Sequence, residues 1–137
     1  MKKVMVGGVF NAVHPGHEFF LNKALEHGDF LIVVIATDRT VMKKKGYLLK
    51  KQEERKEAME RLDIASRVII GDNENFFKVV AQEKPDVIVL GYDQTIDNDL
   101  RKKITDAGIE IRKVGEKFKD YSTSEIARPK KGKIYSG

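Results

Sequence analysis

The sequence predicts an α/β domain built on a doubly wound, open parallel sheet of five strands. Apolar runs of strand length recur at Val4–Val9, Phe30–Ala36, Arg67–Ile70, Val87–Leu90 and Ile109–Val114. Each of the first four is followed by a segment able to form a helix, roughly Gly16–His27, Gln52–Leu62, Glu74–Glu83 and Asn98–Ala107. Near-continuous Val/Ile/Leu runs are expected where strands are covered on both faces, and their alternation with helices implies right-handed βαβ crossovers.

Residues that stop helices stand where these elements should meet. Gly28-Asp29 ends the first helix, Asp72-Asn73 offers an N-cap to the third, Lys84-Pro85 closes it, and Gly108 ends the fourth. Between the second strand and the second helix lies a polar segment carrying Lys43, Lys44, Lys45, Lys50 and Lys51, too polar to belong to the core. No internal repeat, low-complexity stretch or interdomain linker interrupts the pattern. At 137 residues the chain suits one domain, residues 1–127, followed by a basic tail, residues 128–137.

Composition excludes several classes of function. Without cysteine there is no disulfide, thiolate metal site or cysteine nucleophile, which fits a reducing, cytoplasmic setting. The longest apolar run, Phe30–Ala36, is of strand length, so no signal segment or membrane span is expected. Of the net charge of +5, four charges come from Arg128, Lys130, Lys131 and Lys133. The surplus reads as a solvated tail ahead of a nucleic-acid contact, because no aromatic-interleaved basic face accompanies it.

In an open α/β sheet, ligands sit beyond the carboxyl ends of the strands where the strand order reverses. That rule gathers His14 and His17, Thr37-Asp38-Arg39, Gly91-Tyr92-Asp93-Gln94 and Tyr121-Ser122-Thr123 on one rim. His14 and His17 lie three apart around a helix start, with Pro15 at a first-turn position that needs no N–H and Gly16 leaving room for a ligand to approach. Two imidazoles beside a helix N-terminus can donate to phosphate oxygens and stabilise charge in phosphoryl or nucleotidyl transfer. A metal pair needs a further ligand close by, and His27 stands at the far end of the helix, so no metal-ligating residue is assigned. Asp93 is suited to accept from a ribose hydroxyl or a base amino group. Arg55 falls in the first turn of a helix, where a cation opposes the dipole and calls for another partner.

Gly8-Val9-Phe10-Asn11 with His14-Pro15-Gly16-His17 resembles the nucleotidylyltransferase signature, Gly-Thr-Phe-Asp with a downstream His-x-Gly-His. Tyr121-Ser122-Thr123-Ser124-Glu125-Ile126 is similar to that family's second element near the chain's end. The resemblance implies a Rossmann-like nucleotidylyltransferase fold and transfer of a nucleoside monophosphate from a triphosphate to a phosphate-bearing acceptor, with release of pyrophosphate. It implies that His14 and His17 contact the triphosphate and transition state, that Val9 and Phe10 line the nucleotide through their backbone, and that Ser122, Thr123 and Ser124 close over the phosphates. It also implies that Lys44 and Arg55 grip the triphosphate or the acceptor phosphate, and that magnesium arrives with the triphosphate.

Within the family the chain resembles the small archaeal-type FAD synthases, in His-Pro-Gly-His, in Gly91-Tyr92-Asp93-Gln94 and in length. ATP and FMN are then the substrates, and a homodimer is the common assembly. Glycerol-3-phosphate cytidylyltransferases are the rival, but their Arg-Tyr-Val-Asp stretch is replaced by Asp63-Ile64-Ala65-Ser66. Val9 stands for the usual threonine and Asn11 for the usual aspartate, and Arg128-Pro129 cuts short the family's closing helix. A module that binds a nucleotide or nucleic acid without turnover is the non-enzymatic alternative.

Overall fold

A computed structural model describes residues 1–11, 13, 15–92 and 94–114. Its elements follow in the order β1 (Lys3–Gly8), α1 (Pro15–Leu25), β2 (Phe30–Ile35), α2 (Asp38–Lys45), α3 (Gln52–Arg61), β3 (Arg67–Ile70), α4 (Phe76–Glu83), β4 (Val87–Leu90), α5 (Asn98–Asp106) and β5 (Glu110–Lys113). The strands form one sheet in the order β3-β2-β1-β4-β5, and every pairing is parallel. The strand order therefore reverses between β1 and β4, as a doubly wound sheet requires.

Side chains along a strand alternate between the two faces, so an unbroken apolar run buries residues on both. Val4, Val6, Leu31, Val33, Ile35, Val87 and Val89 point into one core with Leu21 and Ala24 of α1 and Met59 of α3. Met5, Ile32, Val34, Ile88 and Leu90 point the other way, against Val79 and Val80 of α4 and Ile104 of α5. Gly28 is required by a close approach: a Cβ there would lie 2.6 Å from Val4 Cγ2 and 2.7 Å from the Lys2 carbonyl oxygen.

The structure departs from the sequence reading in two joins. Residues 38–45, expected as a polar loop, form α2. Thr37 caps it by accepting from the Thr40 N–H at 3.1 Å, and Gly46, at φ 79°, ends it. The N-cap of α4 is Asn75, whose side chain accepts from the Phe77 N–H at 3.0 Å. Asp72 instead ties the turn before it, accepting from the N–H groups of Glu74 and Asn75 at 3.0 and 2.9 Å. Those two bonds, aided by Lys78, hold the Asp72 carboxyl below its ordinary value of 3.8.

Arg55 is the one charged side chain among the described residues that is fully buried. Its Nε donates to the Lys50 carbonyl at 3.0 Å, and its Nη1 donates to the carbonyls of Val9 at 3.0 Å and Ala36 at 2.7 Å. Its Nη2 pairs with Asp38 Oδ1 at 2.9 Å. One guanidinium thus joins the chain after β1, the chain after β2, the start of α2 and the entry to α3. Asp38 is locked in turn: its carboxylate accepts from the Gln52 N–H at 2.7 Å, while its own N–H donates to Gln52 Oε1 at 2.7 Å.

Replacing Arg55 by an apolar residue leaves the carbonyls of Lys50, Val9 and Ala36 and the half-buried Asp38 carboxylate without this donor, at a combined cost of about 3–5 kcal/mol. R55M should therefore lose stability of that order in urea unfolding; a loss under about 1 kcal/mol would contradict the knot described here. Because the folded pKa of Asp72 is depressed, the stability it lends is present above the ordinary value of 3.8 and fades as pH falls through the lower folded one. D72N should melt below the wild type at about pH 7, and the gap should narrow as pH falls below the ordinary value of 3.8.

Candidate functional site

The end of β1 turns sharply, and its geometry is set by two residues. Phe10 adopts φ 52°, a left-handed conformation that costs a residue with a Cβ roughly 1 kcal/mol and that buried packing must offset. The turn folds the Phe10 ring back so that a Cβ on Gly8 would meet its Cε2 at 2.9 Å. Gly8 is thus needed because Phe10 occupies the space a side chain would take. The Phe10 ring, 7% exposed, sits in the core beneath α1 and meets the His17 imidazole edge-on, with centroids 5.1 Å apart at 79°.

His17 lies in the first turn of α1, and Pro15 and Gly16 open that helix. The imidazole is partly buried and oriented by an aromatic wall, at the end of a helix where backbone N–H groups face outward and the dipole favours an anion. Asn11, between the strand end and α1, has a buried side-chain oxygen with no hydrogen-bond partner. An acceptor in that condition costs about 1–3 kcal/mol until a donor reaches it.

A cleft of about 730 Å³ opens beyond the strand ends on the α4 and α5 side of the sheet. Gly7, Gly8 and Val9 form its floor at the switch point, and Lys43 and Lys44 of α2 stand on one wall. Phe76, Ile96, Leu100 and Ile104 supply an apolar end, while Asp72, Glu74, Asp97 and Lys103 add charge along the rim. Size and mixed lining suit a small organic ligand that carries a phosphate. The residues after β1 face two ways, since Val9 belongs to the cleft whereas Phe10 and His17 are not among its walls.

Set against the sequence-derived site, the structure brings Val9 and Lys44 to one cleft and keeps His17, Pro15 and Gly16 at the adjacent helix start. Lys44 is exposed and its position suits a grip on phosphate. Arg55 requires a correction: expected to hold phosphate, it is 0% exposed, and its guanidinium is committed to three carbonyls and a carboxylate. It positions Val9, whose carbonyl is thereby already engaged. Phe10 likewise offers a ring that buttresses His17 as well as backbone. His14, Asp93, Tyr121, Ser122, Thr123, Ser124 and the basic tail lie outside the described residues.

Sequence reading placed Asp38 and Gln94 on the binding rim but foresaw neither the Asp38–Arg55 pair nor the bond from Gln94 to Gly7. Asp38 stands 17 residues from Arg55, a separation with no periodic meaning, so nothing in the chain signals their pairing. The Gln94 bond to Gly7 spans 87 residues and is likewise unsignalled by any local pattern. Among the described residues no group of three or more His, Asp or Glu is placed to hold a metal ion. No described helix is long and apolar enough to cross a membrane.

Comparison with known proteins bears on this geometry. A family model described as cytidylyltransferase-like matches residues 5–129. A protein named FAD synthase from Picrophilus torridus is 40% identical over 113 residues, covering 82% of this chain and 81% of its own length. Another of that name, from Ferroglobus placidus, is 40% identical over 121 residues, covering 88% and 79%. The crystal structure of a protein from Thermoplasma volcanium, described as a lipopolysaccharide core biosynthesis protein, superposes with a TM-score of 0.78 at 35% identity, over 86% of this chain and 98% of that one. These matches settle the family: the chain belongs to the cytidylyltransferase-like nucleotidylyltransferases, in the company of the FAD synthases.

Proposed function

We propose that this protein is an FMN adenylyltransferase, joining AMP from ATP to FMN to give FAD and pyrophosphate. The observation that carries the reading is the 40% identity to proteins named FAD synthase over about four fifths of both chains. The cleft is in keeping with it, having lysines on one wall and apolar side chains at one end.

In this reading a phosphate oxygen of FMN attacks the α-phosphorus of ATP. A new P–O bond forms as the bond to the β-phosphate oxygen breaks, and pyrophosphate leaves. Charge grows on the α-phosphoryl oxygens and on the leaving group, so donors held in place beforehand lower the barrier. His17 and the N–H groups opening α1 are such donors, and His14, Ser122, Thr123 and Ser124 add theirs from the matched motifs. Lys44 receives the acceptor phosphate, and Asp93 accepts from the nucleoside. No step passes through a covalent enzyme intermediate, which assigns the serines as donors rather than nucleophiles.

In this reading magnesium would arrive with the triphosphate, held mostly by phosphate oxygens and water, and would offset charge on the polyphosphate. Asn11, with its unpartnered oxygen, is a neutral acceptor suited to a bound water or a ribose hydroxyl. The assembly we propose is a homodimer, without nucleic acid, in the cytoplasm, with residues 1–127 as the catalytic domain and 128–137 as a solvated tail.

Assay of ATP and CTP against FMN and glycerol 3-phosphate, scored by pyrophosphate, should give product with ATP and FMN together and none with either alone. Turnover only with CTP and glycerol 3-phosphate would assign the cytidylyltransferase reaction instead, and binding of ATP without turnover in any pair would leave a binding module. His17→Ala should lower kcat by roughly 10²–10³, the usual cost of one transition-state donor, with an unchanged circular-dichroism spectrum.

A further inference from the structure

We infer that Gln94 is a positioning residue: its side-chain amide stands in for a missing rung of the sheet at the switch point and fixes the Gly7-Gly8-Val9 turn. On the β2 side, β1 is paired along its whole length, from Lys3↔Phe30 to Gly8↔Ile35, and the Ala36 N–H continues the ladder to the Gly8 carbonyl at 2.9 Å. On the β4 side the register stops at Val4↔Val87 and Met5↔Ile88. Beyond that point β1 and β4 share no paired register, and the Gly7 carbonyl falls in the unpaired stretch.

Gln94 bridges the gap. Its Nε2 donates to the Gly7 carbonyl at 3.0 Å, across 87 residues of sequence, and its Oε1 accepts from the Gly91 N–H at 2.7 Å. Its own backbone N–H donates to the Gly91 carbonyl at 3.0 Å, which holds the side chain's base in a tight turn. One planar group thus presents a donor toward β1 and an acceptor toward β4, as a peptide unit in a middle strand would. Among neutral side chains only Asn and Gln carry both on one amide, and Asn is a methylene short.

The turn is consequently held from three directions: by β2 at Gly8, by Arg55 at Val9 and by Gln94 at Gly7. It carries the floor of the cleft on one side and, through Phe10, the wall of His17 on the other. Losing one of the three supports lets the floor and the imidazole move relative to each other. Displacement of about 1 Å in such groups costs about 10² in rate.

The assay rests on the reading above, and two readouts keep the claims separate. Q94A and Q94E should each lose about 10²-fold in kcat, and in Q94A the KM for ATP and FMN should stay within about threefold of wild type, because the amide of this cleft-lining residue is committed to Gly7 and Gly91 rather than to substrate. Hydrogen exchange needs no substrate. The Gly91 amide should lose protection in Q94A and keep it in Q94E, which retains the acceptor, while the core of α3 stays protected in both. If the wild type uses another acceptor, the FAD reading fails in the wild type, and the variants are compared with the acceptor it does use. Should Q94A fail to fold, Q94E, of equal size but with a charged acceptor in place of the donor, carries the kinetic comparison. A kcat within twofold of wild type, a loss confined to KM, or unchanged exchange at Gly91 in Q94A would overturn the assignment.

Discussion

One buried guanidinium governs how this protein is put together around its binding rim. A parallel sheet ends in loops that have no ladder to hold them, so their carbonyls need donors from elsewhere. Arg55 supplies donors to three of them and neutralises itself against Asp38. Taking such a charge out of water is expensive, and the cost is met by satisfying nearly every donor it carries. The return is positional: two strand ends and two helix starts are set by one rigid, planar group.

From that anchor the functional geometry follows in short steps. With the Val9 carbonyl tied down, the chain must reverse before α1, and the reversal passes through the left-handed conformation of Phe10. Turning Phe10 inward demands glycine at position 8 and supplies the face against which His17 rests. The strain at Phe10 is thus offset by burial of its ring, and the same burial orients a potential phosphate donor. On the opposite side of the turn lies a cleft whose cations and apolar wall come from elements distant in sequence.

Strand positions were legible in the chain because a doubly covered parallel strand is written as an unbroken apolar run. β3 and β4 match the expected limits, and the others shift by a residue or so at their ends. The segment that became α2 was not legible as a helix, since Val41 is its one buried residue and its last turn is three lysines. Capping decides that helix: Thr37 and Gly46, both visible in the sequence, mark its ends. The signature around His17 was readable by resemblance, whereas the stations of Arg55, Phe10 and Gln94 were not. Each of those depends on hydrogen bonds or packing between residues far apart, which neither periodicity nor composition encodes.

The uneven pairing of β1 carries a further consequence. Six residues join it to β2 but only two to β4, and the β4 side is reached across more than eighty residues of chain. The sheet is thus a stout half and a lighter half meeting along a thin seam, and breathing motions in a protein concentrate where backbone bonds are fewest. The cleft lies across that seam, so Gly7 and Gly8 on one side of it belong to the well-paired half while Ile88 and Leu90 on the other belong to the lighter one.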